Sequence, residues 1–149
     1  RGMAYAALLS GITLAQVGLG SVHGLAAPLG AFFPIPHGVA CGTLVAACSE
    51  ANLHALASRA ADSQALAKYA VAGRLLAGEP GLSDAAARNA LLEVLARWTV
   101  ELDLPRLSAY GMHAADIPRV VANCRGSSMK TNPIVLSDAE VTDILRARL

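Results

Sequence analysis

Residues 18–38 read Gly18-Leu-Gly-Ser-Val-His23-Gly-Leu-Ala-Ala-Pro28-Leu-Gly-Ala-Phe-Phe-Pro-Ile-Pro-His37-Gly38. This stretch places two histidines 14 residues apart among side chains that carry no charge. Imidazole is the commonest protein ligand of divalent transition metals. Glycine or proline stands next to each histidine, and both residue types suit a helix end or a tight loop. The stretch therefore predicts a metal site that uses His23 and His37, although their spacing alone is a weak signal.

The bulk composition fits one domain that binds no nucleic acid. A chain of 149 residues is long enough for a sizeable core. Its formal net charge is +1, and it has no cluster of Lys and Arg that would attract a phosphate backbone. Its three cysteines form no Cys-x-x-Cys pair, which favours reduced thiols in a cytoplasmic protein over a disulfide framework.

Charge is distributed unevenly along the chain. Residues 2–49 contain no Asp, Glu, Lys or Arg, whereas 22 charged residues fall between Glu50 and Leu149. A segment that is apolar on all sides is either a membrane span or the centre of a larger soluble protein. Polar and small residues in 2–20, and the prolines and histidines that follow, lower the tendency to insert into a membrane. Because basic anchors and aromatic belts are also missing, we expect no membrane span.

Helical signals dominate the chain, because β-branched and aromatic runs are short and do not alternate. We therefore predict a single all-α domain, a helical bundle over residues 1–149. Within it, Leu91, Leu95, Trp98 and Leu102 recur at spacings of four and three, which predicts a stripe that faces the core. Three helices are predicted over residues 3–17, 63–77 and 116–124. A fourth begins at His37 or Gly38 and runs towards Leu56, and a fifth is capped by Ser83 and ends before Pro105. The last begins at the capping box Ser137-Asp-Ala-Glu140.

A catalytic metal needs fixed protein ligands and one open coordination position, so two histidines alone are not enough. Cys41 is a candidate third ligand, since it follows His37 by four residues and would lie on the same face of a helix. A set of His23, His37 and Cys41 is geometrically possible. Thiolates favour zinc or iron–sulfur chemistry, however, and nothing else nearby is typical of such a site. His54 and His113 lack comparable surroundings, and we expect both to be structural.

The stretch around the two histidines resembles the metal-binding region of iron-containing (group III) alcohol dehydrogenases. That family carries a Gly-x-Gly-x-x-His stretch, then Pro-Leu-Gly, then Pro-His-Gly. The matching residues here are Gly18, Gly20, His23, Pro28, Leu29, Gly30, Pro36, His37 and Gly38. Further along, Asn52 matches a frequent family asparagine, and Asn132-Pro133 with Leu136 to Glu140 resembles the closing Asn-Pro-Arg-x-Leu-Thr-x-Glu pattern.

The resemblance implies an NAD(P)-linked alcohol dehydrogenase that acts on a small alcohol or aldehyde. It makes His23 and His37 ligands of a divalent metal, with Fe²⁺ favoured over Zn²⁺. The family's other two ligands, an Asp and a His on an earlier helix, have no counterpart here, nor has its N-terminal nucleotide-binding domain. We therefore expect the chain to be the distal part of the C-terminal metal-binding domain, inactive alone and prone to form a homodimer or higher oligomer.

Two departures and a candidate pocket accompany the resemblance. Ala27 replaces a histidine thought to help move protons, and Ile134 replaces the usual arginine of the closing pattern. Neither change removes a metal ligand. We predict a substrate pocket at Phe32, Phe33 and Ser128, although the two phenylalanines would equally serve to bury apolar area.

Two other functions remain open. The first alternative is a stand-alone helical module that binds metal or a partner without catalysis. The second is a structural domain whose apolar first third docks on another chain or on a membrane. Exposure of residues 2–31 would favour the docking role.

Overall fold

The computed structural model describes residues 2–149, which contain seven α-helices, three short 3₁₀ segments and no strand. The predicted all-α bundle is therefore confirmed. The 3₁₀ segments are Leu107–Tyr110, Ala114–Asp116 and Ser127–Thr131. The helices are α1 (Gly2–Val17), α2 (Ser21–Phe32), α3 (His37–Arg59), α4 (Gln64–Ala77), α5 (Asp84–Glu101), α6 (Ile117–Asn123) and α7 (Asp138–Ala147).

Serine caps fix where three of these helices begin. The Ser63 hydroxyl accepts from the amide of Ala65, and the Ser83 hydroxyl accepts from the amide of Ala86. Ser137 and Glu140 form the predicted capping box at the start of α7. These caps satisfy amides that have no partner inside a helix, so a short polar side chain in the sequence marks each start.

The core lies where α2, α3, α6 and α7 meet, and Leu25, Leu29, Leu44 and Leu145 are fully buried there. α4 and α5 pack against each other as an antiparallel pair beside it. Gly73 makes that pairing possible, because a β-carbon at this position would lie 1.9 Å from the carbonyl oxygen of Ala87. The two helix backbones therefore touch at this point.

The predicted core stripe of α5 is half wrong. Leu91 and Leu95 are buried, but Trp98 is 39% exposed and Leu102 is 67% exposed. The buried residues of α5 are Ala87, Leu91, Val94, Leu95 and Thr99. At about 100° per residue Trp98 and Leu102 lie on this same face, so the direction of the stripe agrees with the prediction, but its last two members, at the C-terminal end of α5, are exposed.

α1 stands apart from the core. None of its residues is buried, and large apolar side chains such as Met3, Tyr5 and Leu8 are exposed. The chain bends by 91° between α1 and α2, and α2 turns into the core with Leu25 and Leu29 fully buried. The exposure expected of a docking segment is thus found in residues 2–18 and not in α2.

Within residues 2–149, one helix, α3, is long and apolar enough to cross a membrane. α1 and α2 would be long enough only if this bent pair formed a single span. However, α3 packs against α2, α5 and α7, and 44% of its most apolar 18-residue window is buried inside the chain. Core helices have the same length and composition, so packing accounts for its apolar character.

Glu140 joins α7 to the end of α3. The Arg59 guanidinium donates to both carboxylate oxygens, and Ser137 donates to one of them from its amide and its hydroxyl. The hydrogen bonds from Arg59, followed by those from Ser137, lower the pKa of Glu140 to about 2. This carboxylate therefore stays charged across the whole range in which ordinary glutamates titrate.

We expect Glu140→Gln to lower the free energy of unfolding at pH 7 by about 1 kcal/mol, the typical effect of losing a helix cap. The pKa of Glu140 is lower in the folded chain than in the unfolded chain, so its contribution is complete above about pH 5 and disappears as the pH falls towards 2. Urea unfolding at pH 7, 5 and 3 should show the difference between the two proteins shrinking with acidity. Asp143→Asn, in an exposed pair with Arg146, is the matched control. A difference that does not change with pH would contradict the assignment.

Candidate metal centre

His23 and His37 approach each other because each lies in the first turn of its helix. His23 is the third residue of α2, and His37 is the first residue of α3. Their ring centroids are 5.3 Å apart, with ring planes tilted by 51°. His23 is half-buried and His37 is exposed. The structure thus brings together the two histidines that the sequence singled out, at helix ends as expected, while their binding of metal stays a prediction.

The loop between the two helices holds His37 in place. The amide of Phe33 donates to the carbonyl of Leu29 and ends α2, and the amide of Ile35 donates back to the carbonyl of Phe33. The Ile35 side chain is buried in the core and anchors the loop. Pro36 then precedes the helix as its N-cap and accepts from the amide of Ala40.

The turn before α2 is held by the C-terminal part of the chain. Gly18 adopts a left-handed conformation, with φ +80°, which glycine tolerates without steric strain. The Thr131 hydroxyl donates to the carbonyl of Leu19, and the amide of Ser21 donates to the side-chain oxygen of Asn132. A β-carbon at Gly20 would lie 2.9 Å from that same oxygen, so the close approach requires glycine.

Asn52 and Asn132 connect this turn to α3. The Asn132 amide nitrogen donates to the Asn52 oxygen at 2.7 Å and to the carbonyl of Ile134 at 2.7 Å. The Asn52 amide nitrogen lies within hydrogen-bond distance of Ser21, Tyr69 and the Asn132 oxygen. This network fixes the start of α2, two residues before His23, against the middle of α3. The sequence matched both asparagines to a family pattern but did not reveal this role. The only signal was the polar amide of Asn52 inside the apolar helix α3, since Asn132 follows a 3₁₀ segment.

Cys41 is the third donor beside the histidine pair. Its Sγ lies 3.5 Å from Nε2 of His37, one turn along α3. One donor atom from each of His23, His37 and Cys41 lies within 4.8 Å of the others, and residues 2–149 contain no other such trio of His, Cys, Asp or Glu. Burial raises the pKa of the half-buried Cys41 thiol.

A groove with a volume of about 590 Å³ opens next to these donors, and its lining includes His23, Cys41, Cys48, Asn52 and Tyr69. No Asp or Glu lines it. Burial raises the pKa of Cys48 to about 12 and also raises the pKa of Tyr69, so both groups are protonated at neutral pH. The groove therefore offers uncharged hydrogen-bonding groups and apolar walls next to the imidazoles, which suits a small polar molecule.

The predicted pocket residues lie elsewhere. The Arg119 guanidinium stands 4.0 Å from the ring centroid of Phe32 and 5.8 Å from that of Phe33. Ser128 is half-buried in a 3₁₀ segment. None of the three lines the groove beside His23. Their role in a substrate pocket stays a prediction, and in this chain the two phenylalanines serve as a cation–π platform for Arg119.

The remaining histidines lie outside the site. His54 is exposed on α3 and lines a cavity of about 220 Å³ between α3 and α7. His113 is the N-cap residue of a 3₁₀ segment, where its amide donates to the Asp116 carboxylate. The expected structural role of His113 agrees with this position.

Comparison with known proteins assigns these features to a family. The profile described as "Fe-containing alcohol dehydrogenase family, C-terminal" matches residues 1–149. The chain is 30% identical to 1,3-propanediol dehydrogenase of Citrobacter freundii over 146 residues, which is 97% of this chain and 36% of that protein. It is 33% identical to lactaldehyde reductase of Escherichia coli (strain K12) over 118 residues, which is 78% of this chain and 28% of that protein.

A solved structure of 1,3-propanediol oxidoreductase superposes with a TM-score of 0.84 at 28% sequence identity, over 99% of this chain and 37% of that chain. The chain thus spans about a third of the length of the relatives it matches.

Proposed function

The chain belongs to the Fe-containing alcohol dehydrogenase family, and from this membership we propose that it supplies two histidine ligands and part of the substrate pocket of a metal-dependent, NAD(P)-linked alcohol dehydrogenase. The observation that carries the proposal is the approach of the His23 and His37 rings beside an uncharged groove. His23 and His37 meet only because the chain reverses direction between α2 and α3. Packing of these two helices does not by itself require an imidazole at either position.

The donor set fits a divalent transition metal. Neutral imidazole nitrogens are good ligands for Fe²⁺ and Zn²⁺, and family membership favours Fe²⁺. A metal bound at this position would act as a Lewis acid that polarises an alcohol or carbonyl oxygen. The two imidazoles carry no negative charge, so we propose that the metal's remaining ligands come from outside the histidine pair.

The chain's own residues position that chemistry. Asn52 and Asn132 hold the start of α2, and the anchored loop at Ile35 holds the start of α3, so the backbone that carries both imidazoles is held in place. The groove would admit a small alcohol or aldehyde, consistent with the C3 substrates that the names of the relatives state. Ala27 is exposed and cannot carry a proton, so proton transfer in this enzyme would use another group or solvent.

The proposal extends to the chain's context. We propose that the residues that orient NAD or NADP lie outside this stretch, so the chain alone is inactive. The seven large apolar side chains exposed on α1 support a homodimer or higher oligomer. Three free cysteines are consistent with a reducing cytoplasmic location. The net charge of +1 supports the proposal that the chain binds no nucleic acid, and we propose no membrane partner.

Titration of the chain with Co²⁺, a spectroscopic substitute for both metals, tests the histidine pair. We expect d–d absorption in the unaltered chain, and we expect His37→Ala and His23→Ala each to weaken binding at least about 100-fold, since each removes a direct ligand. His54→Ala is the matched control, since His54 is exposed on the same helix as His37. Equal binding by all four proteins would refute the assignment.

The second candidate, a metal-binding module without catalysis, is supported by Cys41, which gives the chain three donors of its own. The two functions differ in a measurable property. A dehydrogenase that contains this chain should reduce NAD(P) in the presence of an alcohol and lose that activity on His37→Ala. A module should bind metal without any such turnover.

A further inference from the structure

We propose that Cys41 is the third protein ligand of the metal held by His23 and His37, and that its thiolate makes the site prefer Zn²⁺ to Fe²⁺. This inference rests on the proposed function, because it requires that the two histidines bind metal.

The first support is the distance between Cys41 and His37. Two ligands of one tetrahedral zinc ion, with Zn–S of about 2.3 Å and Zn–N of about 2.0 Å, lie about 3.5 Å from each other. Sγ of Cys41 and Nε2 of His37 are 3.5 Å apart. Since they are separated by one helical turn, no backbone movement is needed for both to reach one ion.

The second support is that the third donor comes from another helix. His23 belongs to α2, and its ring nitrogen lies within 4.8 Å of both α3 donors. Ligands of one tetrahedral ion are about 3.3–3.5 Å apart, so the three donors, which come from two helices that pack on each other, would share an ion after a small movement of the His23 ring. Three protein ligands would leave one coordination position open. The groove at His23 and Cys41 gives a small molecule access to that position.

The third support is charge. Residues 2–49 contain no carboxylate, and no Asp or Glu lines the groove. Cys41 is therefore the only donor of the trio that can become an anion and offset the charge of a divalent cation. Binding replaces the Sγ–H bond with an Sγ–metal bond and releases the proton to solvent. A thiolate among the ligands favours zinc over iron(II).

A hydrogen bond from the Cys41 thiol to His37 would give the same distance without any role in metal binding. Spectroscopy separates the hydrogen bond from metal ligation, because a thiolate bound to Co²⁺ produces an intense near-ultraviolet charge-transfer band that imidazole ligands do not produce.

We would titrate the unaltered chain, Cys41→Ser, Cys48→Ser and His37→Ala with Co²⁺. The bound Co²⁺ would then be displaced with Zn²⁺ and, under anaerobic conditions, with Fe²⁺. Circular dichroism would verify that each variant folds.

We expect the charge-transfer band in the unaltered chain and in Cys48→Ser, and its loss in Cys41→Ser, which should retain weak d–d absorption from the histidine pair. Zn²⁺ affinity should fall in Cys41→Ser by more than the roughly 10–100-fold that the loss of an outer-shell partner causes. Fe²⁺ affinity should fall less. Bound Co²⁺ with d–d absorption but no charge-transfer band in the unaltered chain would overturn the role of Cys41 and leave the histidine pair standing. No binding by the unaltered chain would overturn both.

Discussion

Gly73→Ala should lower the free energy of unfolding by about 3 kcal/mol or more, which is the upper end of the overpacking range. The added β-carbon would lie 1.9 Å from the carbonyl oxygen of Ala87 and 2.6 Å from its carbonyl carbon. These are backbone atoms of α5, so no rotamer change relieves the clash and the two helices must separate. Urea unfolding followed by circular dichroism measures the loss.

Gly11→Ala is the matched control for this prediction. Gly11 is also inside a helix, but a β-carbon there meets nothing within 4 Å. Alanine has the higher helix propensity, by about 1 kcal/mol, so this variant should not be less stable than the unaltered chain. A loss of less than about 1 kcal/mol for Gly73→Ala would mean that α4 and α5 tolerate a larger separation than the structure shows.

Asn132→Ala should lower the free energy of unfolding by about 2–4 kcal/mol. The substitution leaves the amide of Ser21 and the side-chain oxygen of buried Asn52 without partners, and each unsatisfied group costs roughly 1–3 kcal/mol. Because the same bonds hold the start of α2, Co²⁺ affinity should fall about 10–100-fold as the backbone that carries His23 loses its anchor.

Asn123→Ala is the corresponding control, since Asn123 is exposed and donates only to the carbonyl of Arg119 in its own helix. It should change stability by less than about 0.5 kcal/mol. If Asn132→Ala destabilised the chain but left Co²⁺ affinity unchanged, the network would support the fold without positioning the metal ligand.

Local signals explain why most helices could be predicted from the sequence. Ser83 and Ser137 cap their helices through bonds to residues three positions on, and Gly78 ends α4 in a left-handed conformation. Each of these bonds joins neighbours in the chain, so a short window contains the information. The exposure of Trp98 and Leu102 was not predicted, because whether the end of α5 meets another helix depends on the packing of the whole bundle and not on residue spacing.

In the candidate site, too, residues in local patterns could be predicted from the sequence, whereas residues joined by long-range hydrogen bonds could not. His23 and His37 were found because their surrounding glycines and prolines form a local pattern, and Cys41 because helix geometry relates it to His37. Asn52 and Asn132 are separated by 80 residues, and nothing in either local sequence shows that they exchange hydrogen bonds. Long-range pairs of polar residues need the folded structure to be recognised.

Because α1 has no buried residue, we expect it to unfold independently of the helices that follow it. α2, α3, α6 and α7 share a core, and α4 and α5 pack on it through α3. α1 has only its own 16-residue hydrogen-bond ladder, and isolated helices of about that length are marginal in water. Fraying of α1 would stop at Gly18, where Thr131 and Asn132 tie the following turn to the core. Amide protons of α1 should therefore exchange with solvent through local opening, at a rate that does not follow the stability of the rest of the chain.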